Sequence, residues 1–450
     1  MVFRKVRENG FYCFLGGCMA TSLYFLSMSY STTYERQITL HSLQNQEVLR
    51  LPNITSDERS IQIKLEQEFT CYNLPDYKFI TQRGQYYVIY NFVQADRKFG
   101  CTESITLTSP GDYRFLDNVE PLVERWRGPV SIALYCPGYD FYTTMEAIAY
   151  VRHCQNSLIK EMVSFHLFFD LEHVPEAKMN ISIQYTYNDH YNCSAPPPWE
   201  ILTDDDTYKT NQSLLYPINV ARNIAKLAAR TYFVFPSDIE LYPTRNFIEQ
   251  FLVFVKENMN LFGANTRNAF VLPIFEVLEN QDVPENKTML KIMLKNKTAI
   301  LFHQRMCAVC HKVIDGDKWI LQNETKKLEI FSVGKRQGQY MVWEPFFVCT
   351  QNEPLWDERL TWEGQRNKMI QAYTMCIMDY NFYVLNNAFL IHKPGIKKEK
   401  VQLKRFNKEV TKSNKLSVLI TEEIQKLYGR NEYCTMVYNT TLNKPKKKIG

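Results

Sequence analysis

The sequence predicts an α/β protein, with a mostly parallel central sheet flanked by helices and preceded by an N-terminal transmembrane helix. Three observations carry this prediction. Short apolar runs such as VSIALYC (Val130 to Cys136) and FHLFFDL (Phe165 to Leu171) have the character of strands buried on both faces. Segments of helical spacing lie between such runs, which is how parallel strands are joined. The first thirty residues hold a long uncharged stretch behind a basic start.

That start is Arg4, Lys5 and Arg7, followed by no charge from Phe11 to Tyr30 or on to Tyr34. Roughly 20 apolar residues span a bilayer as a helix, and basic residues ahead of the span keep that end in the cytoplasm. The pattern predicts a cytoplasmic tail over 1–10, a signal anchor over 11–30 and a polar stem over 31–65. A cleaved signal peptide is the alternative for the same stretch. A folded domain is expected over 66–430, and a basic tail over 431–450 that ends in KPKKKIG.

Two further counts agree with a luminal body. Asn-x-Ser/Thr sequons stand at Asn53, Asn180, Asn192, Asn211, Asn286, Asn296, Asn323 and Asn439, and such sequons are acceptors only in a secretory chain. Of 12 cysteines, Cys13 and Cys18 fall in the anchor, leaving an even number beyond it for disulfides of undetermined pairing. A net charge of +5 on 450 residues does not suggest a nucleic-acid partner.

Along the body, a helix around Thr144 to Cys154 joins the first two runs into a βαβ unit. NDHYNCSAPPPWEILTDDDT is a loop by its Pro and Asp content. SLLYPINVARNIAKLAAR places Leu215, Ile218, Ile224, Leu227 and Ala228 at helical spacing, ahead of a strand from Thr231 to Phe235. AFVLPIFEV (Ala269 to Val277), YMVWEPFFV (Tyr340 to Val348) and FYVLNNAFLIH (Phe382 to His392) complete the apolar runs.

The strand from Thr231 runs into Asp238 and Glu240, two positions apart and so able to face one ion. Ligands of open α/β sheets bind beyond the carboxyl ends of strands, and hard divalent cations take carboxylates together with diphosphate oxygens. An acidic turn is the plain alternative. In TDDDT, Asp204 and Asp206 have the same spacing but no strand delivers them, and they read as a solvated loop. CAVCH (Cys307 to His311) spells a haem-attachment pattern without an axial partner or a matching second ligand pair, so a local disulfide or structural cysteine is expected. LIHKPGIK places His392 at a strand end, with Gly395 permitting close backbone approach and Lys397 placed to meet phosphate. The loop WDERLTWEGQRNK supplies Asp357, Glu358 and Glu363.

YPINVARNIA, SDIELYP, LPIFEV, CHKVIDGDKW, WEPFFV, DERLTWEGQRNK and VLNNAFLIHKP resemble, in this order, segments of the glucuronyltransferases of dystroglycan-type glycan synthesis. That family includes the beta-1,4-glucuronyltransferases and the C-terminal domain of the LARGE-type enzymes. The resemblance runs from about Trp126 to His392, and more weakly to LYGR. It implies a GT-A glycosyltransferase fold in a type II Golgi membrane protein, with UDP-glucuronic acid as donor and Mn²⁺ or Mg²⁺ as cofactor. By position, Asp238 and Glu240 stand where the family has Asp-x-Asp, with Glu in place of the commoner Asp, and His392 completes the metal site. Arg222 and Asn223 are expected at the nucleotide.

The family forms β-linkages from an α-linked donor, which requires inversion and a carboxylate base. Asp357 is the first candidate for that base and Glu363 the second, with Lys397 assisting the departing diphosphate and Arg359 facing a uronic carboxylate. The acceptor is expected to be a xylose-terminated glycan on a glycoprotein. Hetero- or homo-oligomers with other glycosyltransferases are compatible with this reading. UDP-xylose or UDP-N-acetylglucosamine as donor, or a catalytically silent Golgi scaffold, are the competing readings.

Overall fold

A computed structural model describes residues 63–67, 69, 77–175, 191–263, 266–361, 367–393, 395 and 407–436. All of them belong to the unit Ser60–Gly450. The expected anchor and nearly all of the stem lie outside the described residues. Among the described residues no helix is long and apolar enough to cross a membrane.

Fourteen strands are described: β1 (Phe79–Arg83), β2 (Tyr86–Val93), β3 (Ile105–Gly111), β4 (Val130–Tyr135), β5 (Val163–Asp170), β6 (Phe233–Pro236), β7 (Leu241–Pro243), β8 (Asn268–Val271), β9 (Ile274–Val277), β10 (Ala299–Leu301), β11 (Ile330–Gly334), β12 (Phe347–Val348), β13 (Asn381–Leu385) and β14 (Leu390–His392). The expected strands at VSIALYC and FHLFFDL are β4 and β5, and the helix between them is Asp140–Cys154. The expected α/β class holds, and the six-stranded sheet is mostly parallel, with three parallel pairings and two antiparallel ones at its β1-β2-β5 edge, while the other two sheets are mixed. Three sheets form, in the orders β1-β2-β5-β4-β3-β6, β10-β9-β14-β7 and β11-β13-β8-β12. Only the run β5-β4-β3-β6 is parallel throughout. Strands β1 and β2 are antiparallel because Gly84, at φ +56°, opens a turn far too short for a crossover.

Two apolar runs that read as single strands are each divided between two sheets. AFVLPIFEV breaks at Leu272-Pro273 into β8 and β9, since Pro cannot donate to a ladder. FYVLNNAFLIH breaks at Asn386-Asn387 into β13 and β14, with Asn387 in the left-handed region at φ +58°. The two broken segments run side by side: β13 pairs parallel with β8, and β14 with β9. YMVWEPFFV contributes only β12, because Pro345 interrupts it.

The core is continuous from Val123 and Trp126 under the first sheet to Phe251, Phe270 and Leu390 under the others. Each such side chain contributes roughly 1.5–3 kcal/mol on burial. A second apolar cluster covers the opposite face of the first sheet through Val220, Ala221, Ile224 and Ala225 on the helix Ile218–Ala228. Disulfides Cys154–Cys193, Cys307–Cys310 and Cys376–Cys434 join loops and helices at the periphery, whereas Cys136 and Cys349 are buried and free. The CAVCH cysteines are thus a local disulfide.

Candidate active site

Strand β6 ends at Pro236, at the carboxyl edge of the parallel run, and the chain turns there through Asp238 and Glu240 into β7. Strand β7 pairs antiparallel with β14, so that Leu241 opposes His392. This register brings Glu240 beside the imidazole. A second join fixes the other wall: the backbones of Val234 and Cys349 exchange both hydrogen bonds, at 2.8 and 2.9 Å. The segment Glu344 to Phe347 is thereby set across from Pro236 to Asp238. Between them is a pocket lined among others by Arg222, Asp238, Glu344, Trp356 and Lys368.

The helix Ile218–Ala228 carries a buried polar stripe as well as its apolar one. Asn219, Arg222, Asn223 and Lys226 recur at three- and four-residue intervals and share a face. Asn219 donates to the carbonyls of Asp357 and Asn367 at 2.9 and 3.1 Å. Asn223 donates to Trp356 O at 2.8 Å and to Glu358 at 2.7 Å, and accepts from Trp356 N at 3.0 Å. Lys226 donates to the carbonyls of Gln351 and Glu353 at 3.2 and 3.1 Å. The stripe therefore fastens the loop that follows β12 onto the helix. Asn223 was expected at the nucleotide. Both ends of its amide are spent on this loop instead.

Arg222 does reach the pocket. Its Nη1 donates to Asn367 at 2.6 Å and its Nη2 to Asp238 Oδ1 at 3.3 Å, while Lys368 Nζ holds Asp238 Oδ2 at 2.6 Å. Burial alone would raise the Asp238 pKa, but Lys368 and then Arg222 more than offset it and hold the carboxyl well below its ordinary range. Burial and the neighbouring Arg222 lower Lys368 to about 8, although Asp238 and Glu344 oppose the shift. Burial pushes Glu344 up, with Lys368, Arg222 and Arg336 pulling the other way.

Glu240 and His392 form a different pair. His392 is 1% exposed, and its Nδ1 faces the Gly395 carbonyl at 3.3 Å. A carbonyl only accepts, so in the neutral ring the proton sits on Nδ1 and the lone pair on Nε2. That Nε2 is buried with no hydrogen-bond partner among the described residues, and it lies 3.5 Å from Glu240 Oε2. With the ring neutral, these two acceptors suit a cation between them. Gly395 takes φ +109°, a conformation that side-chain-bearing residues rarely adopt, and this turns its carbonyl to the ring.

Glu240 and His392 thus fit a hard or borderline divalent ion as two protein ligands. Asp238, expected as the third, does not fit as it stands, because both its oxygens are held by cations. Among the described residues no group of three or more His, Cys, Asp and Glu is gathered closely enough to hold a metal. An ion here would draw its remaining ligands from diphosphate oxygens or water, as Mg²⁺-type sites commonly do.

The expected base Asp357 does not line the pocket. Arg359 holds its two oxygens at 3.0 and 2.7 Å and reaches on to Glu423 of the helix Asn407–Tyr428. Arg359 is a clasp between loop and helix rather than a group facing a uronic acid. Glu363 and Lys397 lie outside the described residues. In TDDDT, Asp206 accepts from Thr203 in an exposed turn, as a solvated loop should. Of the described sequons, Asn192, Asn211, Asn296 and Asn323 are exposed, while Asn286 is half-buried and caps the helix Lys287–Lys295. Asn53, Asn180 and Asn439 lie outside the described residues.

Lys368 and Glu344 are pocket residues whose role motif spacing does not reveal. A charged residue inside an otherwise apolar run, as in WEPFFV, was the available signal for Glu344.

A family model described as a glycosyl-transferase for dystroglycan matches residues 104–429. The chain belongs to this family. It is a glycosyltransferase, and both walls of the pocket fall within the matched span. Beta-1,4-glucuronyltransferase 1 of Danio rerio is 25% identical over 342 residues, covering 73% of this chain and 76% of that protein. The Mus musculus protein of the same name is 23% identical over 292 residues, covering 60% of this chain and 63% of its own length. Xylosyl- and glucuronyltransferase LARGE1 of Homo sapiens is 24% identical over 385 residues, covering 84% of this chain and 42% of its own length. The chain spans less than half of the LARGE1 protein.

Proposed function

We propose that this chain is an inverting, divalent-cation-dependent glycosyltransferase of GT-A fold that transfers glucuronic acid from UDP-glucuronic acid to a xylose-terminated glycan of the dystroglycan type. It acts in the Golgi lumen, held by a membrane anchor over 11–30. The observation that carries the reading is the carboxyl edge of β6, where Glu240 stands 3.5 Å from Nε2 of the buried His392 and the pocket lining holds Arg222 and Lys368. The names of the relatives support the donor, and the ordered motifs support the fold.

In this reading Glu240 and His392 hold Mn²⁺ or Mg²⁺, which when bound neutralises charge on the departing UDP diphosphate. The pocket that receives the donor is lined by the protein's own groups, Trp356 and Lys368 among them. Inversion needs a carboxylate that takes the proton of the acceptor hydroxyl. Asp357 matches the family loop but is held by Arg359. Glu344 lines the pocket itself, and no hydrogen bond to its carboxylate is present among the described residues. That difference favours Glu344 as the base.

The reading is tested by incubating the purified protein with Mn²⁺, a xylose-terminated acceptor and a panel of UDP-sugars. Turnover confined to UDP-glucuronic acid is the expected result. Turnover of UDP-xylose or UDP-N-acetylglucosamine in its place reassigns the donor, and no turnover with any donor points to a silent member of the family.

A further inference from the structure

The charges around the pocket do not balance. Lys368 Nζ and Arg222 Nη2 converge on the two oxygens of a single carboxylate, Asp238, at 2.6 and 3.3 Å. Arg336, close enough to act on the Glu344 carboxyl, is fully buried. Its Nε donates to Trp343 O at 2.9 Å, while Nη1 and Nη2 have no acceptor among the described residues. Three cations therefore stand against two carboxylates, Asp238 and Glu344. Buried charge without a counterion is costly, and an incoming anion relieves that cost.

Position selects which cation meets the ligand. Arg222 is pinned by Asn219 and Asn367 as well as Asp238, and Arg336 is fully buried and does not line the pocket. Lys368 lines the pocket, with its ammonium 3.9 Å from the centroid of the Phe346 ring. That contact and Asp238 fix the ammonium in place, and of its three N–H groups only one is used by Asp238. The hold on Asp238 already demonstrates the geometry for a carboxylate oxygen.

We propose that Lys368 is the specificity-determining residue that reads the C6 carboxylate of the donor's uronic acid, with Arg222 aligning it and the surplus positive charge of Arg336 favouring an anionic sugar over a neutral one. This rests on the reading of the chain as a UDP-sugar glycosyltransferase. A UDP-hexose with a neutral C6 hydroxymethyl group gains nothing from this arrangement, so the pocket discriminates by charge where the two sugars are otherwise alike. The anion drawn to Lys368 has a second source in every donor, the diphosphate, and the experiment separates the two.

Steady-state transfer from UDP-glucuronic acid and UDP-glucose is measured for the full-length protein, its Lys368→Met variant and its Lys368→Gln variant. Binding of UDP alone is measured by calorimetry. The expected result is a loss in kcat/KM for UDP-glucuronic acid of about 30-fold or more, at least about tenfold larger than the loss for UDP-glucose, with UDP binding preserved. Equal losses for both donors, or a matching loss of UDP binding, overturn the inference by assigning Lys368 to the diphosphate or to folding. If one variant does not fold, the other decides. A wild-type protein that transfers no glucuronic acid overturns the function itself, and that outcome is visible before any variant is compared.

Discussion

His392 Nε2 lies 3.5 Å from Glu240 Oε2, and its other ring nitrogen faces the Gly395 carbonyl at 3.3 Å. The chain joins these residues through two strands far apart in sequence, and the ring's tautomer follows from the carbonyl. Glu240→Ala and His392→Ala should each weaken Mn²⁺ binding by at least about tenfold, while removing a metal ligand leaves the fold intact. Titration of free Mn²⁺ by electron paramagnetic resonance reads this without reference to turnover. Chelation of the wild type should abolish transfer reversibly. Unchanged Mn²⁺ affinity in both variants would remove this pair from the metal site.

Glu344 and Asp357 compete for the role of base, and their surroundings predict opposite outcomes. Glu344→Gln should lower kcat by about 100-fold or more with little change in the donor KM. Asp357→Asn should release Arg359, loosen the join to Glu423 and lower the thermal midpoint, with a smaller effect on kcat. A reversal of the two kcat effects would return the base to the loop.

The polar stripe on the helix Ile218–Ala228 makes a stability prediction. Asn223 is 1% exposed and satisfies the Trp356 backbone at both its N–H and its C=O. Truncation leaves buried groups unpaired, at about 1–3 kcal/mol each. Asn223→Ala should therefore lower the denaturant midpoint by an amount in that range while UDP affinity changes little. Loss of UDP binding with unchanged stability would restore the nucleotide contact expected from the resemblance.

His166 predicts a pH dependence. Its Nδ1 accepts from Asn91 N at 2.8 Å, so Nε2 carries the proton and donates to Ser131 Oγ at 2.9 Å, which donates in turn to Ala225 O at 2.8 Å. Burial, with the nearby Arg230 adding to it, lowers the ring's pKa to about 3 from an ordinary 6.5. The folded state therefore binds fewer protons than the unfolded one between those values. The neutral ring's contribution is fully present above about 6.5 and is lost as pH falls toward 3, at on the order of 1 kcal/mol per pH unit. Urea unfolding at pH 7.5 and pH 5 should show the decline, and His166→Gln should flatten the part of the slope that this ring supplies.

Much of the layout was legible in the chain. The apolar runs at β4, β5 and β6 are buried strands because nothing in them can face water, and the helix Ile218–Ala228 announces its apolar face by spacing alone. Asp238 and Glu240 follow a strand directly, so their place at its carboxyl edge needed no tertiary information. What spacing concealed were the breaks. Pro273 and Asn386-Asn387 each divide one apolar run between two sheets, and a hydrophobic count cannot distinguish a bent segment from a straight one.

By itself, then, the sequence determined that this is an α/β glycosyltransferase with a carboxylate pair at a strand end, because local chemistry and motif order depend only on neighbours along the chain. Only the tertiary structure decided how the pair divides. Asp238 turns to Lys368 and Arg222, and Glu240 turns to His392. That division depends on charges 16 to 152 residues away brought together by β6, β7, β12 and β14, and burial there makes each carboxylate take the nearest partner available to it.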